Sequence, residues 1–112
     1  MIKERFPLEN LQAVSESSIT IDQINLVTDR LKVLSNPDRM KILCMLIGNE
    51  FNVQTIEKLT DIHQPTLSQQ LTVLRNSKLV ETRRDGKQIF YRITDENLLK
   101  LLETVFKLYH QD

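Results

Sequence analysis

Asn52-Val53-Gln54-Thr55-Ile56-Glu57-Lys58-Leu59-Thr60-Asp61-Ile62-His63-Gln64-Pro65-Thr66-Leu67-Ser68-Gln69-Gln70-Leu71-Thr72-Val73-Leu74-Arg75-Asn76 holds two short apolar periods with a break between them. Asn52 is a good N-cap for a helix carrying Val53, Ile56 and Leu59 on one side. Thr60-Asp61-Ile62-His63 interrupts that period, and Gln64-Pro65 starts a second helix with Leu67, Leu71 and Leu74 on one face. Thr66, Ser68, Gln69, Thr72 and Asn76 project elsewhere, so the second helix keeps a short, polar, uncharged face. The pattern reads as helix, turn, helix.

Downstream, the period changes from 3.6 to 2. Val80, Thr82 and Arg84 alternate with Glu81 and Arg83, Asp85-Gly86 offers a tight turn, and Ile89, Tyr91 and Ile93 alternate back with Phe90 and Arg92. This predicts a β-hairpin with Arg84 and Lys87 at its tip. Asp95 then caps a last helix, from about Glu96 to His110, whose many apolar residues leave only a narrow polar strip. A helix that apolar needs cover on two sides, one from its own domain and one from a partner subunit, most simply in a C2 dimer.

Upstream, Ile24, Val27, Leu31 and Leu34 recur at helical spacing. Ser35-Asn36-Pro37 ends that helix and opens the next, with Asn36 as N-cap and Pro37 at the first position. Met40, Leu43, Cys44 and Ile47 form its expected stripe, ending at Gly48-Asn49. Residues 1–17 show no sustained period and are expected to form an N-terminal arm; residues 18–112 form the single folded domain.

The 112 residues, 40% apolar and 27% charged, suit one soluble globular domain. The longest apolar run, Ile42 to Ile47, is too short to span a bilayer, and a lone cysteine cannot close an intrachain disulfide. The expected location is the cytoplasm, with no membrane partner. Gly48 and Gly86 are the only glycines, which excludes glycine-rich phosphate cradles. Cys44, His63 and His110 are well separated, which argues against a structural zinc site. No nucleophile elbow is present. No cofactor, no metal and no enzymatic activity are expected.

The formal net charge of zero hides an asymmetry. Residues 61–94 hold Arg75, Lys78, Arg83, Arg84, Lys87 and Arg92 against Asp61, Glu81 and Asp85, a basic surplus of three, while both flanking segments are acidic. With the helix pair and the hairpin, this gives a mainly α fold with a β-hairpin wing: a winged helix-turn-helix. Its second helix fits a major groove, and its polar side chains can pair with base edges while basic groups hold phosphates. Taken singly, Gln64, Thr66, Ser68 and Gln69 read as helix-start residues on a solvated surface; together with the basic third they favour double-stranded DNA. A protein-binding winged helix is the alternative, but it calls for an apolar or acidic recognition face. His63, in the turn, reads as a solvent or phosphate contact, and Met40 and Met45 as core.

Three segments carry a resemblance. Leu34-Ser35-Asn36-Pro37-Asp38-Arg39-Met40-Lys41-Ile42-Leu43, Gln64-Pro65-Thr66-Leu67-Ser68-Gln69-Gln70-Leu71 and Arg83-Arg84-Asp85-Gly86-Lys87-Gln88-Ile89-Phe90-Tyr91 resemble, in unbroken order over about residues 20–110, the ArsR/SmtB transcriptional repressors. Within the family the chain looks closest to the thiol-responsive branch of BigR, SqrR and HlyU. The resemblance implies an obligate homodimer built on the first and last helices, with Ile24, Leu31, Leu98, Leu102, Val105 and Tyr109 in the interface, bound to an inverted repeat in a promoter. It carries groove-reading roles onto Gln64, Thr66, Ser68 and Gln69, and backbone or minor-groove roles onto Arg84, Lys87 and Gln88.

The inducer is where the chain departs from its relatives. Metal sensors of the family place Cys-x-Cys on the helix before the recognition helix, where this chain has Val53-Gln54-Thr55-Ile56-Glu57-Lys58-Leu59, or Asp, His and Glu ligands on the last helix, where it lacks the paired histidines. The thiol branch pairs a cysteine on the second helix with another near the end of the last. Cys44 fills the first position, but Leu108-Tyr109-His110 puts histidine at the second. Cys44 and His110 remain as a redox or sulfur-sensing candidate, with a small buried residue as the favoured reading of Cys44. A regulator with neither thiol nor metal inducer is the alternative.

Overall fold

The computed structural model describes residues 18–110, so the expected arm at 1–17 lies outside the described residues. The described residues divide into two compact units, with the boundary between Lys32 and Val33. Helix α1 (Ile21–Leu34) begins with a reciprocal pair of bonds. Thr20 Oγ1 accepts from the Gln23 amide at 3.1 Å and Gln23 Oε1 accepts from the Thr20 amide at 2.9 Å. This capping box satisfies two amides that the first turn cannot. Ile21, Ile24, Leu26, Val27 and Leu31 of this helix are all exposed.

The second unit holds α2 (Pro37–Leu46), β1 (Phe51–Asn52), α3 (Val53–Thr60), α4 (Thr66–Asn76), β2 (Val80–Asp85), β3 (Gln88–Ile93) and α5 (Glu96–Leu108). Three helix starts follow the capping rule read from the sequence. Asn36 accepts from the Arg39 amide, Asn52 from the Thr55 amide, and Asp95 from the amides of Asn97 and Leu98. The core stripe of α2 is rotated from its expected position. Ile42, Leu43 and Leu46 are fully buried, while Cys44 is half-buried and Met40 and Ile47 pack at the margin. Ile56 of α3, Leu67, Leu71 and Leu74 of α4, and Leu98 and Leu102 of α5 complete the interior with Leu79 and Val80. Each fully buried leucine or isoleucine contributes about 1.5–3 kcal/mol relative to exposure.

Leu98 and Leu102 therefore correct the interface expected from the sequence. At 4% and 1% exposure they belong to the chain's own core, because they lie on the face of α5 that meets it. The outward face of α5 carries Leu101, Phe106, Leu108 and Tyr109, with Val105 half-buried.

The wing is part of a three-stranded antiparallel sheet in the order β1-β3-β2. Val80, Thr82 and Arg84 face Ile93, Tyr91 and Ile89 across the hairpin, while Glu81, Arg83 and Asp85 face Arg92, Phe90 and Gln88. Because Asp85 pairs with Gln88, the two loop residues are Gly86 and Lys87, one place later than the expected Asp-Gly turn. Gly86 sits at φ +65, a conformation that glycine adopts without cost and two-residue hairpins require. The edge strand β1, Phe51 and Asn52 paired with Tyr91 and Phe90, is too short to leave a period in the sequence. Among the described residues no helix is long and apolar enough to cross a membrane.

Candidate nucleic-acid interface

Helix α4 has no side-chain cap from Pro65. Gln64 does that work instead: its Oε1 accepts from the Ser68 amide at 3.0 Å and from Ser68 Oγ at 2.7 Å. A glutamine expected to read a base edge thus spends its carbonyl on the helix start, and reading adenine with both amide atoms would require it to release Ser68. Thr66 is half-buried. Gln70 is turned inward, accepting at 2.8 Å from the Arg39 guanidinium, whose Nε also donates to the Val33 carbonyl at 2.7 Å. Thr72 donates back to the Ser68 carbonyl at 2.8 Å. Gln69 and Asn76 are exposed amides of α4 with no side-chain partner among the described residues. The exposed side of α4 is polar and uncharged only as far as Thr72; beyond it Val73 and Arg75 are exposed as well, which the sequence reading did not have.

The far end of α4 closes as a Schellman turn. Leu79 N–H donates to the Leu74 carbonyl and Lys78 N–H to the Arg75 carbonyl, with Lys78 at φ +63 in the left-handed position that usually goes to glycine. Arg75 and Lys78, with Thr82 and Thr94, line a cleft of about 420 Å³ there. Both cations were visible in the charge count three residues apart, but the sequence did not show the cleft that they share with Thr82 and Thr94.

The wing sorts its cations into bound and available ones. Arg83 is held bidentate by Glu50, at 2.8 Å from NH2 and 3.2–3.3 Å from Nε, and lies 4.6 Å over the Phe90 ring. The Arg83 guanidinium holds Glu50 below the usual carboxylate range. Arg92 pairs with Glu81 at 3.1 Å. Arg84 and Lys87 are exposed and have no partner among the described residues. Gln88 accepts from Asn52 Nδ2 at 3.0 Å, which ties the hairpin to the start of α3. Glu50 and Arg83 are 33 residues apart, so no local pattern reveals this pair.

The surroundings of Cys44 do not activate its thiol. Burial raises the Cys44 thiol above its usual range, which disfavours thiolate, and its sulfur has no hydrogen-bond partner among the described residues. Among the described residues no group of three or more His, Cys, Asp or Glu side chains is set to hold a metal ion. His63 is exposed, in keeping with a solvent contact, and in addition both its ring nitrogens face carboxylates.

This arrangement has close relatives. Residues 36–82 match the model of the bacterial regulatory proteins of the arsR family. The chain is 47% identical over 85 residues to the biofilm growth-associated repressor of Xylella fastidiosa, covering 76% of this chain and 75% of that protein. It is 36% identical over 81 residues to the transcriptional activator HlyU of Vibrio cholerae, covering 72% of this chain and 75% of that one. The crystal structure of the repressor BigR from Xylella fastidiosa superposes with a TM-score of 0.78 at 44% identity, covering 81% of this chain and 93% of BigR. HlyU from Vibrio cholerae superposes with a TM-score of 0.77 at 32% identity, covering 82% of this chain and all of that one. These likenesses join a polar helix-turn-helix and a basic wing to proteins named as transcriptional regulators. The chain is a DNA-binding transcriptional regulator, not an enzyme, and belongs to the ArsR family.

Proposed function

We propose that the chain acts as a homodimer that represses transcription by binding an imperfect inverted repeat in a promoter, with α4 in the major groove and the wing tip on the adjacent backbone or minor groove. The carrying observation is the division of labour at the interface. Gln69 and Ser68 stand exposed on the uncharged first turns of α4, while Arg84 and Lys87 are the cations of the wing left without a partner among the described residues. Base reading and phosphate holding need those two chemistries in two places. Thr66 and Gln64 support the helix start and join the reading when Gln64 gives up Ser68. Gln88 positions the wing. The dimer is supported by the apolar side chains that α1 and α5 each leave exposed, Ile24 and Leu31 on one and Phe106 and Tyr109 on the other among them. Two-fold symmetry in the protein calls for a palindromic site. Repression accords with the name of the Xylella relative.

The test is a footprint and an anisotropy titration on the promoter upstream of the chain's own gene. Two protected half-sites about one helical turn apart are expected. Gln69→Ala should cost about 1–3 kcal/mol on that site and little on unrelated duplex. Equal losses on both duplexes would refute the base-reading role.

We further propose that Cys44 packs and does not sense. A thiol whose pKa is raised by burial is a poor nucleophile at neutral pH, and the chain has no second cysteine to close a bridge.

A further inference from the structure

His63 lies in the turn between α3 and α4 with a carboxylate on each side. Its Nδ1 is 3.0 Å from Glu57 Oε2, and its Nε2 is 2.9 Å from Asp61 Oδ1. A carboxylate only accepts, and a neutral imidazole carries one N–H, so a neutral ring can satisfy one of these contacts and must oppose lone pair to lone pair at the other. Both contacts at this length call for the doubly protonated ring. We infer that protonated His63 is a positioning residue that clamps the turn before the recognition helix, and that operator recognition weakens when the clamp loses its proton. The inference rests on the reading of α4 as the DNA-reading helix.

The clamp sits where small shifts would matter. Asp61 ends α3 in a left-handed conformation, φ +59, and the His63 carbonyl accepts from the Leu67 amide at 2.9 Å in the first turn of α4. The next residue, Gln64, caps that turn through Ser68. The carboxylates that face the ring are Glu57 of α3 and Asp61 of the turn. Lys41 of α2 reaches the same turn, donating to the Thr60 carbonyl at 3.3 Å, and Lys58 of α3 is exposed nearby in sequence.

The direction with pH follows from the pairing. The Glu57 hydrogen bond, then that of Asp61, raises the His63 pKa above its ordinary value. The clamp is therefore complete below the unfolded value of about 6.5 and is lost as pH rises through the raised folded value. Loss of the proton removes one hydrogen bond and changes the cluster from one net negative charge to two beside a phosphate backbone. The charge change weakens binding to every sequence. Misplacement of α4 weakens the operator alone, so the ratio of operator to unrelated-duplex affinity isolates the positioning effect. Exposed ion pairs add little to stability, and His63→Gln should unfold at nearly the parent's denaturant concentration.

The experiment measures that ratio from pH 5.5 to 9 for the parent and His63→Gln. Nitrogen-detected NMR of the imidazole rings accompanies it. The expected spectrum shows both ring N–H groups of His63 and a titration above 6.5. The expected ratio falls about threefold or more across that titration in the parent and stays flat in His63→Gln. By linkage, with two rings per dimer, a threefold fall in the ratio corresponds to a pKa about 0.24 higher for each ring in the operator complex than in the complex with unrelated duplex. A ring that titrates at or below 6.5 with a single N–H overturns the clamp. A ratio that does not change with pH, or changes equally in His63→Gln, overturns its role in recognition. Glu57→Gln and Asp61→Asn should each lower the ring's pKa and lower the ratio near pH 6; if both raise it, the ring contacts DNA directly and the clamp reading fails. Absence of DNA binding at every pH overturns the assignment of α4 and the recognition role with it, while the ring spectrum still decides the clamp by itself.

Discussion

Lys87→Ala separates the two kinds of wing cation. Arg83 and Arg92 already hold carboxylates, at 2.8 Å from Glu50 and 3.1 Å from Glu81, so a phosphate would have to compete for them. Lys87, one of the two residues in the hairpin loop, has no such competitor among the described residues. Each cation that meets a phosphate releases a condensed counterion and adds about 0.9 to the slope of log affinity against log salt. A dimer presents two wings, so Lys87→Ala should flatten the slope by about 1.8. Between about 50 and 200 mM salt, a fourfold change, the parent should then lose about 12-fold more affinity than the variant. The loss should be the same on operator and unrelated duplex, because a phosphate contact carries no sequence information. Arg92→Ala is the comparison, with a much smaller change in slope. Fluorescence anisotropy of a labelled duplex at four salt concentrations measures both variants. Equal slopes for parent and Lys87→Ala, or an equal effect from Arg92→Ala, would refute the division into bound and available cations.

Leu102→Ala empties a site in the chain's own core and should cost about 2–5 kcal/mol in urea denaturation, whereas Phe106→Glu, at 46% exposure in one chain, should keep its circular dichroism and sediment as a monomer. A dimeric Phe106→Glu protein would remove that side chain from the interface. Lys78→Gly relieves the left-handed strain at the end of α4 and should stabilise the fold by about 0.5–1 kcal/mol, measured by the same denaturation; a loss would mean that the lysine itself holds the turn. Cys44→Ser should bind the operator within a few-fold of the parent, and peroxide or polysulfide should change the parent's affinity no more than that. A tenfold loss on oxidation that is absent in the serine variant would identify Cys44 as the sensor despite its raised pKa.

The fold was legible wherever a short-range rule had one solution. Asn36-Pro37, Asn52 and Asp95 mark helix starts because a side-chain oxygen two or three residues before an orphan amide is a local fact, and the structure uses all three. The change of period after Lys78 marks the hairpin for the same reason. Thr20-Ile21-Asp22-Gln23 carried an equally local signal, the capping box of α1, that the reading passed over. What escaped was set by tertiary partners. The stripe of α2 has two helical faces rich in apolar residues, and only packing against α3 and α4 selects Ile42, Leu43 and Leu46 over Cys44 and Ile47. The last helix posed the same ambiguity, and it placed Leu98 and Leu102 on the wrong side of the surface.

The site divides along a similar line, and the charge count shows why. A basic surplus of three in residues 61–94 points to that segment as the one that meets DNA, yet it weighs six cations equally. Arg83 and Arg92 are committed to Glu50 and Glu81, and Glu50 lies outside the counted segment altogether. Removing those two from the tally leaves Arg84 and Lys87 on the wing and Arg75 and Lys78 at the end of α4. The available positive charge therefore stands on the wing and at the last turn of α4, while the first turns of α4 bear Ser68 and Gln69. That segregation favours sequence reading over general adhesion to DNA, because a cation among the base-reading side chains would bind any duplex and dilute the discrimination they supply. His63 fits the same logic. Left unpaired it would be one more phosphate contact beside the helix start, and the carboxylates of Glu57 and Asp61 withhold it from that role.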